Sequence, residues 1–271
     1  MKNMELLQGD CLEVMKNIED KSVDLVLCDL PYGVMDAEWD KIIDFEKLWT
    51  EYKRIVKENG TFILFANGSF TVKVINSNVE MYKYKYVWIK SNSTFFTHAK
   101  NRPLAKHEDI LVFSHGSMGH KNLLKDKRMT YNPQGLKPLN KKISRIRNNT
   151  EKGYINFKKN EQNYTQEFTN YPSDVLTEYF EVGTNEKFHP NQKPTNLLEF
   201  LIKTYTNEND LVLDNCMGSG STGIAAKNTG RKFIGIEKDE EYYKIAKNRI
   251  ESFARLESKK DEVNANQLSL F

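Results

Sequence analysis

Two apolar runs in this sequence end in the same way, on an acidic residue followed by a turn that could carry chemistry. The run "SVDLVL" leads into "CDLPYG" at residues 28–33, and the run "LVL" leads into "DNCMGSGSTG" at residues 214–223. In open parallel sheets, ligands bind outside the carboxyl ends of the strands. We therefore expect the two strand ends to face each other across one pocket, with Asp29 on one side and Gly218 on the other.

The turn at residues 218–220 reads Gly-Ser-Gly and opens a predicted helix directly after a predicted strand. Glycine lets a ligand approach the backbone, and free N–H groups at the start of a helix can receive a carboxylate or phosphate. The next strand, "KFIGIE", ends in Glu237, seventeen residues after Gly220. An acid about 20 residues past such a turn accepts hydrogen bonds from ribose hydroxyls in nucleotide-binding units. The spacing favours a nucleoside ligand, either a dinucleotide or S-adenosylmethionine; a glycine turn that serves packing only is the alternative.

The turn after Asp29 combines an acid with an aromatic residue. Pro31 stiffens this turn, Tyr32 offers an aromatic face, and Gly33 lets the chain reverse. This combination suits a planar ligand with an amino group, because the ligand can stack on Tyr32 while Asp29 and the neighbouring carbonyl accept the amino hydrogens. The alternative is an aspartate that caps a helix before a surface tyrosine.

The elements that must position these turns alternate between strand and helix patterns. Strands are predicted at "MELLQ", "VDLVLCD", "TFILFA", "YKYVWIK", "DILVFS", "LVLDNC" and "KFIGIE". Helical spacing occurs at "CLEVMKNI", "FEKLWTEYKRIV", "STGIAAKNT" and "EEYYKIAKNRIESFARL", and in a helix entered through Pro194. This alternation predicts an α/β fold, in which helices flank a mostly parallel sheet.

The periodic pattern is interrupted between residue 115 and about residue 186, where Asn, Lys and Tyr predominate. This interruption predicts an insertion, either a small irregular domain or loops ordered by a partner. We therefore expect four segments. Residues 1–114 carry the Asp29 turn, residues 115–186 form the insertion, residues 187–257 carry the glycine turn, and residues 258–271 form a flexible tail.

Charge is unevenly distributed along the chain. The formal net charge is +3, yet residues 120–160 carry 12 Lys and Arg against Asp126 and Glu151, which leaves this segment at +10 and the remainder at −7. A localised positive charge of this size suits contact with phosphate groups. A solvated face without a partner is the alternative.

Composition excludes several other classes of protein. No apolar run approaches the roughly 20 residues needed to span a bilayer, and the N-terminus lacks the order of a secretion signal, so we expect a cytoplasmic protein without a membrane partner. The three cysteines, Cys11, Cys28 and Cys216, form no Cys-x-x-Cys pair, and the five histidines are scattered. These counts predict neither a disulfide framework nor a metal site.

Several stretches resemble the motifs of one known family. "DLPYG" resembles the Asp-Pro-Pro-Tyr motif of amino-methylating DNA methyltransferases, "LDNCMGSGSTG" is similar to their cofactor motif, and "HPNQKP" is similar to the stretch that precedes that motif. With "QGDCLEVM" near the start, they follow the order of the beta group of this family, over nearly the whole chain except residues 115–185. Leu30 stands in place of the first proline, and Asn215 and Cys216 stand in place of proline and phenylalanine.

The resemblance implies a Rossmann-like fold that binds S-adenosylmethionine, with a target-recognition region inserted. It implies that a flipped base is held by Asp29, Leu30, Pro31 and Tyr32. Residues that would line the cofactor site are Asp10, Cys11, Asp29, Lys193, Pro194, Thr195, Asp214, Met217, Gly218, Ser219, Gly220, Ser221, Thr222, Glu237 and Lys238. Among them, Asp10 would approach the adenine of the cofactor, and residues 193–195 would lie at its methionine end.

The implied reaction is direct transfer of a methyl group to an exocyclic amino nitrogen in duplex DNA, of the kind found in restriction–modification. Asp29 rather than serine before the Pro-Tyr pair favours adenine-N6, and cytosine-N4 and a catalytically silent DNA-binding relative are the alternatives. RNA is also left open, because basic residues do not report sugar identity. The insertion would contact DNA through Lys121, Lys125, Lys127, Arg128, Lys141, Lys142, Arg145 and Arg147.

The final residues raise a separate hypothesis about a partner. "QLSLF", Gln267 to Phe271, resembles the peptide by which bacterial proteins dock on the replication sliding clamp. Two leucines and a terminal phenylalanine on a flexible segment suit insertion into an apolar groove. A tail that folds back on its own domain is the alternative, and a second copy of the chain is a further partner that the sequence leaves open.

Overall fold

The computed structural model describes residues 3–33, 40–94, 96–119, 127–145, 162–177 and 192–252. Contacts divide the chain into two compact units. The second unit is Pro133–Ser173, and the first comprises Met1–Asn132 together with Asp174–Phe271. The second unit is therefore shorter than the insertion expected from the sequence. In the described ranges, every helix is too short or too polar to cross a membrane.

Ten strands are described, and eight of them form one sheet. Their bounds are β1 (Met4–Gln8), β2 (Val23–Cys28), β3 (Val56–Ala66), β4 (Tyr82–Thr94), β5 (Ala105–Ser114), β6 (Lys137–Arg145), β7 (Gln162–Thr169), β8 (Val175–Leu176), β9 (Leu211–Asp214) and β10 (Lys232–Glu237). The large sheet has the order β1-β10-β9-β2-β3-β5-β4-β8. The other two strands, β6 and β7, pair with each other.

The directions of the strands decide which residues meet at each edge. The five neighbours from β1 to β3 in that order are parallel, β5 is antiparallel to both β3 and β4, and β8 is parallel to β4. The mostly parallel sheet expected from the sequence is therefore confirmed. Because β5 runs in the opposite direction, its amino end lies at the same edge as the carboxyl ends of β2, β9 and β10. We call this edge the carboxyl edge.

Helices cover both faces of the large sheet. Their bounds are α1 (Cys11–Val14), α2 (Phe45–Ile55), α3 (Ser69–Ser77), α4 (Thr195–Tyr205), α5 (Ser221–Asn228) and α6 (residues 240–252). Alternate side chains of β2 point to opposite faces, as in any strand. Val26 packs in a buried cluster with Trp49 of α2, while Leu27 packs in the other cluster with Leu197 of α4. The described part of the first unit is therefore a three-layer α/β/α structure.

Local sequence explains how α2 is fixed in this arrangement. Asp44 precedes the helix, and its side chain accepts hydrogen bonds from the backbone N–H groups of the first turn, which replaces partners that the helix cannot supply there. Leu48, Trp49, Tyr52 and Ile55 lie on one buried face. Each such side chain gains about 1.5–3 kcal/mol from full burial, so this face holds the helix against the sheet.

The second unit is built around an antiparallel pair. Strands β6 and β7 pair with Lys141 opposite Gln166 and Lys142 opposite Thr165. Asn170 follows β7, and its side-chain amide donates a hydrogen bond of 2.7 Å to the carbonyl of Gly135. Both lysines are exposed. Within the insertion, the structure therefore shows a two-stranded ribbon with exposed cationic side chains.

Candidate active site

The turn after β2 is fixed by hydrogen bonds from two sides. The Tyr32 hydroxyl donates to Asp29 Oδ1 at 3.0 Å. The backbone N–H groups of Tyr32 and Gly33 donate to Asp40 Oδ1 at 2.8 and 3.0 Å, and Asp40 is buried. Gly33 has a φ of +68°, which favours glycine at this position. The carboxylate of Asp29 is therefore held in place at the carboxyl edge.

The ring of Tyr32 is supported by a second aromatic side chain. Phe70, near the start of α3, stacks on Tyr32 with ring centroids 4.6 Å apart and an interplanar angle of 23°. The next residue, Thr71, donates a hydrogen bond of 2.8 Å to Asp109 Oδ2, while Lys85 donates to Asp109 Oδ1 at 2.8 Å. These contacts tie α3 to β4 and β5, so the support behind Tyr32 is itself fixed.

Four charged side chains of alternating sign lie in a row at the same edge. Lys193 Nζ lies 2.5 Å from Asp29 Oδ2 and 3.3 Å from Glu108 Oε2. Lys90 Nζ lies 3.0 Å from Glu108 Oε1. The Lys193 ammonium also lies 4.9 Å from the centroid of the Phe65 ring, and its side chain is only 11% exposed. We call Lys90, Glu108, Lys193 and Asp29 the charge row.

The charges of the row and their burial shift the pKa values of its members in different directions. Burial raises the pKa of Asp29, with Lys193 opposing and Glu108 adding to the rise. Burial alone would raise the pKa of Glu108, but Lys193 and Lys90 outweigh it, and that pKa is lowered. Burial would likewise lower the pKa of Lys193, but Asp29 and Glu108 outweigh it and raise that pKa. The neighbouring charges therefore favour the charged forms of Lys193 and Glu108, whereas burial favours the protonated form of Asp29.

The turn after β9 is organised around Asp214, which is 4% exposed. The hydroxyl of Thr222 donates to Asp214 Oδ2 at 2.6 Å, and the backbone N–H of Cys216 donates to Asp214 Oδ1 at 3.1 Å. Burial raises the pKa of Asp214 to about 7, although these hydrogen bonds oppose the rise. The side chain therefore closes the glycine turn onto the start of α5.

The acid at the end of β10 holds the same turn from the other side. The backbone N–H of Gly218 donates to Glu237 Oε2 at 2.8 Å, and that of Asp239 donates to Glu237 Oε1 at 2.8 Å. The backbone N–H of Met217 donates to the carbonyl of Ile236 at 3.0 Å. Burial raises the pKa of Glu237. The acid expected from its spacing lies beside the glycine turn.

The glycine turn has the features of a ligand site. Gly218 has a φ of +50°, and a Cβ added there would meet nothing within 4 Å. Gly220 has a φ of +82°, and its added Cβ would lie 3.0 Å from Ala246 of α6, so it permits close packing. The hydroxyl of Ser221 is buried and has no hydrogen-bond partner among the described residues. Open space and an unpaired buried hydroxyl in one turn fit a bound cofactor with polar groups.

The end of β1 adds a further polar group to the edge. Asp10 Oδ1 accepts a hydrogen bond of 3.0 Å from the N–H of Leu12 at the start of α1, and Lys238 Nζ lies 3.1 Å from Asp10 Oδ2. The N–H of Gly9 donates to the carbonyl of Glu237 at 2.9 Å. The chain ends of β1 and β10 therefore lie together.

The three cysteines have free thiols. Cys11 and Cys28 are buried in one apolar cluster, against which Cys216 packs. Burial raises the pKa of Cys28 to about 12, and hydrogen bonding with Cys216, together with burial, raises that of Cys11. Protonated thiols are poor nucleophiles and poor metal ligands. Their surroundings are those of packing residues.

The segment before α4 connects the two turns. Ser219 of the glycine turn has its hydroxyl 3.5 Å from Gln192 Oε1, and Arg249 of α6 donates to that hydroxyl at 2.9 Å. Gln192 precedes Lys193, which contacts Asp29. Pro194 is buried and caps α4, and Thr195 is the first residue of that helix, as the sequence predicted. All site residues expected near the cofactor therefore lie in the first unit.

The residues expected to contact DNA are distributed over both units. Lys127 and Arg128 lie in the first unit. The backbone of Arg128 forms an isolated parallel β-bridge with that of Ser117. Strand β6 of the second unit carries Lys141, Lys142 and Arg145. The other three residues, Lys121, Lys125 and Arg147, lie outside the described residues, as does the tail peptide at 267–271.

Sequence reasoning missed Asp40, Phe70, Lys90 and Glu108. Asp40 follows Tyr32 by eight residues, and the other three lie farther along the chain from the groups they support, so no helix or strand periodicity connects them. The available signal for Glu108 is the acidic pair that opens the apolar run "DILVFS". An acid at the start of a strand reaches the carboxyl edge only if that strand is antiparallel, and local periodicity does not report direction.

Comparison with known proteins identifies the family. The model of a family described as DNA methylase, N6_N4_Mtase, matches residues 23–248. Type II methyltransferase M2.LlaDCHI of Lactococcus lactis subsp. cremoris is 29% identical, over 92% of this chain and 90% of that protein. Type II methyltransferase M2.DpnII of Streptococcus pneumoniae is 28% identical, again over 92% of this chain and 90% of the relative.

Solved structures share the fold. The complex of M1.HpyAVI with S-adenosylmethionine is 24% identical, with a TM-score of 0.56 over 91% of this chain and 99% of that one. The cytosine-N4-specific PvuII DNA methyltransferase is 17% identical, with a TM-score of 0.60 over 91% of this chain and 86% of that one. Since the family model matches most of the sequence, the chain belongs to the N6_N4_Mtase family of DNA methylases and is an S-adenosylmethionine-dependent DNA methyltransferase.

Proposed function

We propose that this DNA methyltransferase acts on the exocyclic N6 of adenine within a specific duplex sequence, after the adenine has been flipped out of the helix. The observation that carries the proposal is the adjacency of β2 and β9. These strands are parallel, with Leu25 opposite Val212 and Val26 opposite Leu213, so the Asp29 turn and the glycine turn leave neighbouring strands at one edge. An amino group at one turn can therefore reach a methyl donor at the other.

The chemistry requires an acceptor beside the amino group. The lone pair of an adenine amino nitrogen is delocalised into the ring, which makes the nitrogen a poor nucleophile. Hydrogen bonds from its two hydrogens to Asp29 and to the carbonyl of Leu30 would favour a pyramidal nitrogen. Attack of that nitrogen on the methyl carbon, in line with the bond to sulfur, would return the bonding electrons to sulfur, and Asp29 or water would take the surplus proton. Positioning supplies much of the remaining rate.

The base would be held by stacking as well as by hydrogen bonds. Tyr32 presents its ring beside Asp29, and Phe70 supports that ring. Flipping a base costs about a few kcal/mol, and stacking in the pocket offsets part of this cost. The hydroxyl of Tyr32 is engaged with Asp29, so the aromatic face, rather than the hydroxyl, is the group that suits contact with a base.

S-adenosylmethionine supplies a methyl group bound to a positively charged sulfur. The residues that would hold it are those of the glycine turn, with Glu237 for the ribose hydroxyls and Asp10 near the adenine. Pro194 and Thr195 would lie beside the methionine end. The open space at Gly218 and the unpaired hydroxyl of Ser221 support this assignment. Buried acids also suit a cationic ligand, because the positive charge compensates their loss of hydration.

The choice of adenine rests on Asp29, because the fold is shared with a cytosine-N4-specific enzyme and does not discriminate. Transfer of a labelled methyl group to duplex DNA, followed by digestion and chromatography of the nucleosides, tests the choice directly. The proposal predicts N6-methyladenine. N4-methylcytosine as the sole product would show that the base is wrong.

A matched pair of variants separates an enzyme from a silent DNA-binding relative. Asp29→Ala removes the acceptor and should lower transfer about a hundredfold or more, while DNA binding persists. Glu80→Ala changes an exposed acid outside the site and should leave transfer unchanged. Transfer by the Asp29→Ala variant at the normal rate would refute the role of Asp29.

DNA contact by the basic segment forms a separate part of the proposal. Lys127, Lys141 and Lys142 are exposed, and cations that neutralise phosphates release counterions. Duplex binding should therefore weaken steeply between low and moderate salt. A duplex affinity that does not change with salt concentration would contradict phosphate contact by these residues. The same titration with duplex RNA of equal sequence tests whether the chain prefers DNA to RNA. Preferential binding of RNA would contradict the proposal.

We also propose that the tail peptide at 267–271 docks on the replication sliding clamp, on the strength of its sequence alone. Removing these five residues should abolish clamp binding in a titration and leave methyl transfer to short duplexes unchanged. Equal clamp binding by the full and shortened chains would end the idea. Sedimentation of the chain alone tests the other partner left open, a second copy of this protein.

A further inference from the structure

The charge row gathers four side chains from four separate parts of the first unit. Lys90 lies on β4, Glu108 lies in the first half of β5, Lys193 precedes α4, and Asp29 follows β2. Signs alternate along the row, and each neighbouring pair lies within 3.3 Å. Buried charges cost several kcal/mol each unless they are paired. An arrangement of this kind therefore requires its members to be present together.

We propose that Lys193 is a positioning residue for methyl transfer, whose ammonium group keeps Asp29 ionised and oriented, while Glu108 and Lys90 hold Lys193 in that place. The proposal rests on the role of Asp29 in the proposed function. The family resemblance implies a place for Lys193 at the methionine end of the cofactor. Its described contacts are with Asp29, Glu108 and the ring of Phe65.

The geometry explains why a lysine needs such support. Its long side chain loses up to about 2 kcal/mol of rotamer entropy when it is fixed. Glu108 contacts the ammonium from the side opposite to Asp29 in the row, and the ring of Phe65 lies 4.9 Å from it, within the range of a cation–π contact. Asp29 thus receives a cation that is held by other groups, and its second oxygen accepts from Tyr32.

Other charged or titratable groups also face Asp29 and must be counted. Lys193 approaches from the segment before α4, Glu108 from β5 and Asp214 from the adjacent β9, while Tyr32 and Cys28 belong to its own turn and strand. Glu108 and Asp214, where ionised, oppose a negative charge on Asp29. The cation of Lys193 opposes both of them. Removing Lys193 should therefore raise the pKa of Asp29, whereas removing Glu108 should lower it.

The test is the pH dependence of single-turnover methyl transfer, compared between variants. A shift of the acid limb that follows the charges of Lys193 and Glu108 reports Asp29, because the titration of Asp214 is common to all the variants. Lys193→Met removes the cation, so the acid limb should move to higher pH by about one unit or more, a tenfold loss of rate below the limb. Glu108→Gln keeps a hydrogen-bond acceptor for Lys193 but removes a negative charge, so the limb should move to lower pH. Lys193→Arg keeps the cation, so its acid limb should lie close to that of the original chain.

Two controls separate this proposal from its alternatives. Lys203→Met, on the exposed side of α4, should leave the limb unchanged. If Lys193 served the cofactor instead, Lys193→Met would raise KM for S-adenosylmethionine at every pH and leave the limb in place, which would overturn the proposal. If Lys193→Met failed to fold, an unshifted limb in Glu108→Gln would overturn it equally.

The failure of the proposed function would look different. Asp29→Ala should lower transfer strongly if Asp29 accepts the amino hydrogens, whatever Lys193 does. Transfer at the normal rate by Asp29→Ala would refute the role of Asp29 itself. An impaired Asp29→Ala variant combined with identical acid limbs for the original chain, Lys193→Met and Glu108→Gln would refute only the role of Lys193.

Discussion

The buried carboxyl group of Asp214 predicts a dependence of stability on pH that the Asp214→Asn variant would remove. The side chain lies at the end of β9 and is 4% exposed. Burial raises its pKa from 3.8 to about 7. Asparagine has nearly the same shape and can still accept a hydrogen bond from Cys216 while offering an amide to Thr222. The substitution therefore removes the charge with little change in packing.

The sign of the effect follows from proton linkage. A carboxyl whose pKa is higher in the folded chain than in the unfolded chain binds its proton more tightly when folded. Its contribution to stability is complete below the unfolded pKa of 3.8 and is lost as the pH rises through the folded pKa of about 7. A difference of about three pKa units, at 1.36 kcal/mol each, corresponds to a loss on the order of 4 kcal/mol.

Urea unfolding of both chains without cofactor measures this loss. Between about pH 4 and pH 8, the free energy of unfolding of Asp214→Asn relative to the original chain should rise by a few kcal/mol, because other titrating groups are shared and cancel. Asp20→Asn, in which the substituted side chain is 69% exposed, controls for removal of an acid and should show no such rise. A constant difference between Asp214→Asn and the original chain would refute the assignment of a buried, destabilised carboxylate.

Three further changes test the two turns and the basic segment. Phe70→Ala removes the ring that stacks on Tyr32 at 4.6 Å, so single-turnover transfer should fall about threefold to tenfold, since such stacking contributes about 0.5–1.5 kcal/mol; an unchanged rate would show that Tyr32 needs no support. Gly218→Ala places a Cβ in open space at a φ of +50°, and calorimetry should show reduced cofactor affinity, because the methyl group takes up space that the ligand would occupy; unaltered affinity would separate this turn from the cofactor. Replacing Lys141 and Lys142 together with glutamine should reduce the slope of log affinity against log salt by about 2, and an identical slope would exclude phosphate contact by these exposed lysines.

The large sheet could be predicted because its strands are buried on both faces. Parallel strands covered by helices read as continuous apolar runs, and "SVDLVL" and "KFIGIE" are such runs, each ending in or before an acid. The order of the chain then places Asp29 and Asp214 at strand ends. The short strand β8 gave no signal, because Val175 and Leu176 pair with β4 through a contact between distant parts of the chain. The periodicity of a short segment does not predict such pairing.

The ribbon of β6 and β7 could not be predicted from periodicity for a related reason. Residues 137–145 read "KPLNKKISR", in which exposed lysines replace the alternation that burial of one face imposes. A strand shows period-two hydrophobicity only when one face is buried. The charge of this segment predicted a surface for phosphate, while its backbone conformation followed from pairing with β7.

The charge row shows the limit of motif reasoning most clearly. Motif resemblance assigned Lys193 and Asp29, which are 164 residues apart, to one cofactor site but did not predict that they contact each other. Their contact depends on the order of the strands at the carboxyl edge, and on the reversal of β5 that brings Glu108 there. Both are properties of topology.

The division of charge between the site and the basic segment has a physical consequence for substrate entry. The carboxyl edge gathers Asp29, Glu108, Asp214 and Glu237, and burial acts to raise the pKa of each carboxyl group. Lys90 and Lys193 balance Glu108 and Asp29 within the charge row, and the carboxyl oxygens of this edge suit a sulfonium cation and amino hydrogens. The rest of the chain is at −7, whereas residues 120–160 are at +10. Under the proposed function, the basic residues would contact the charged phosphates, whereas the extruded base is uncharged and would meet the carboxyl groups at low electrostatic cost.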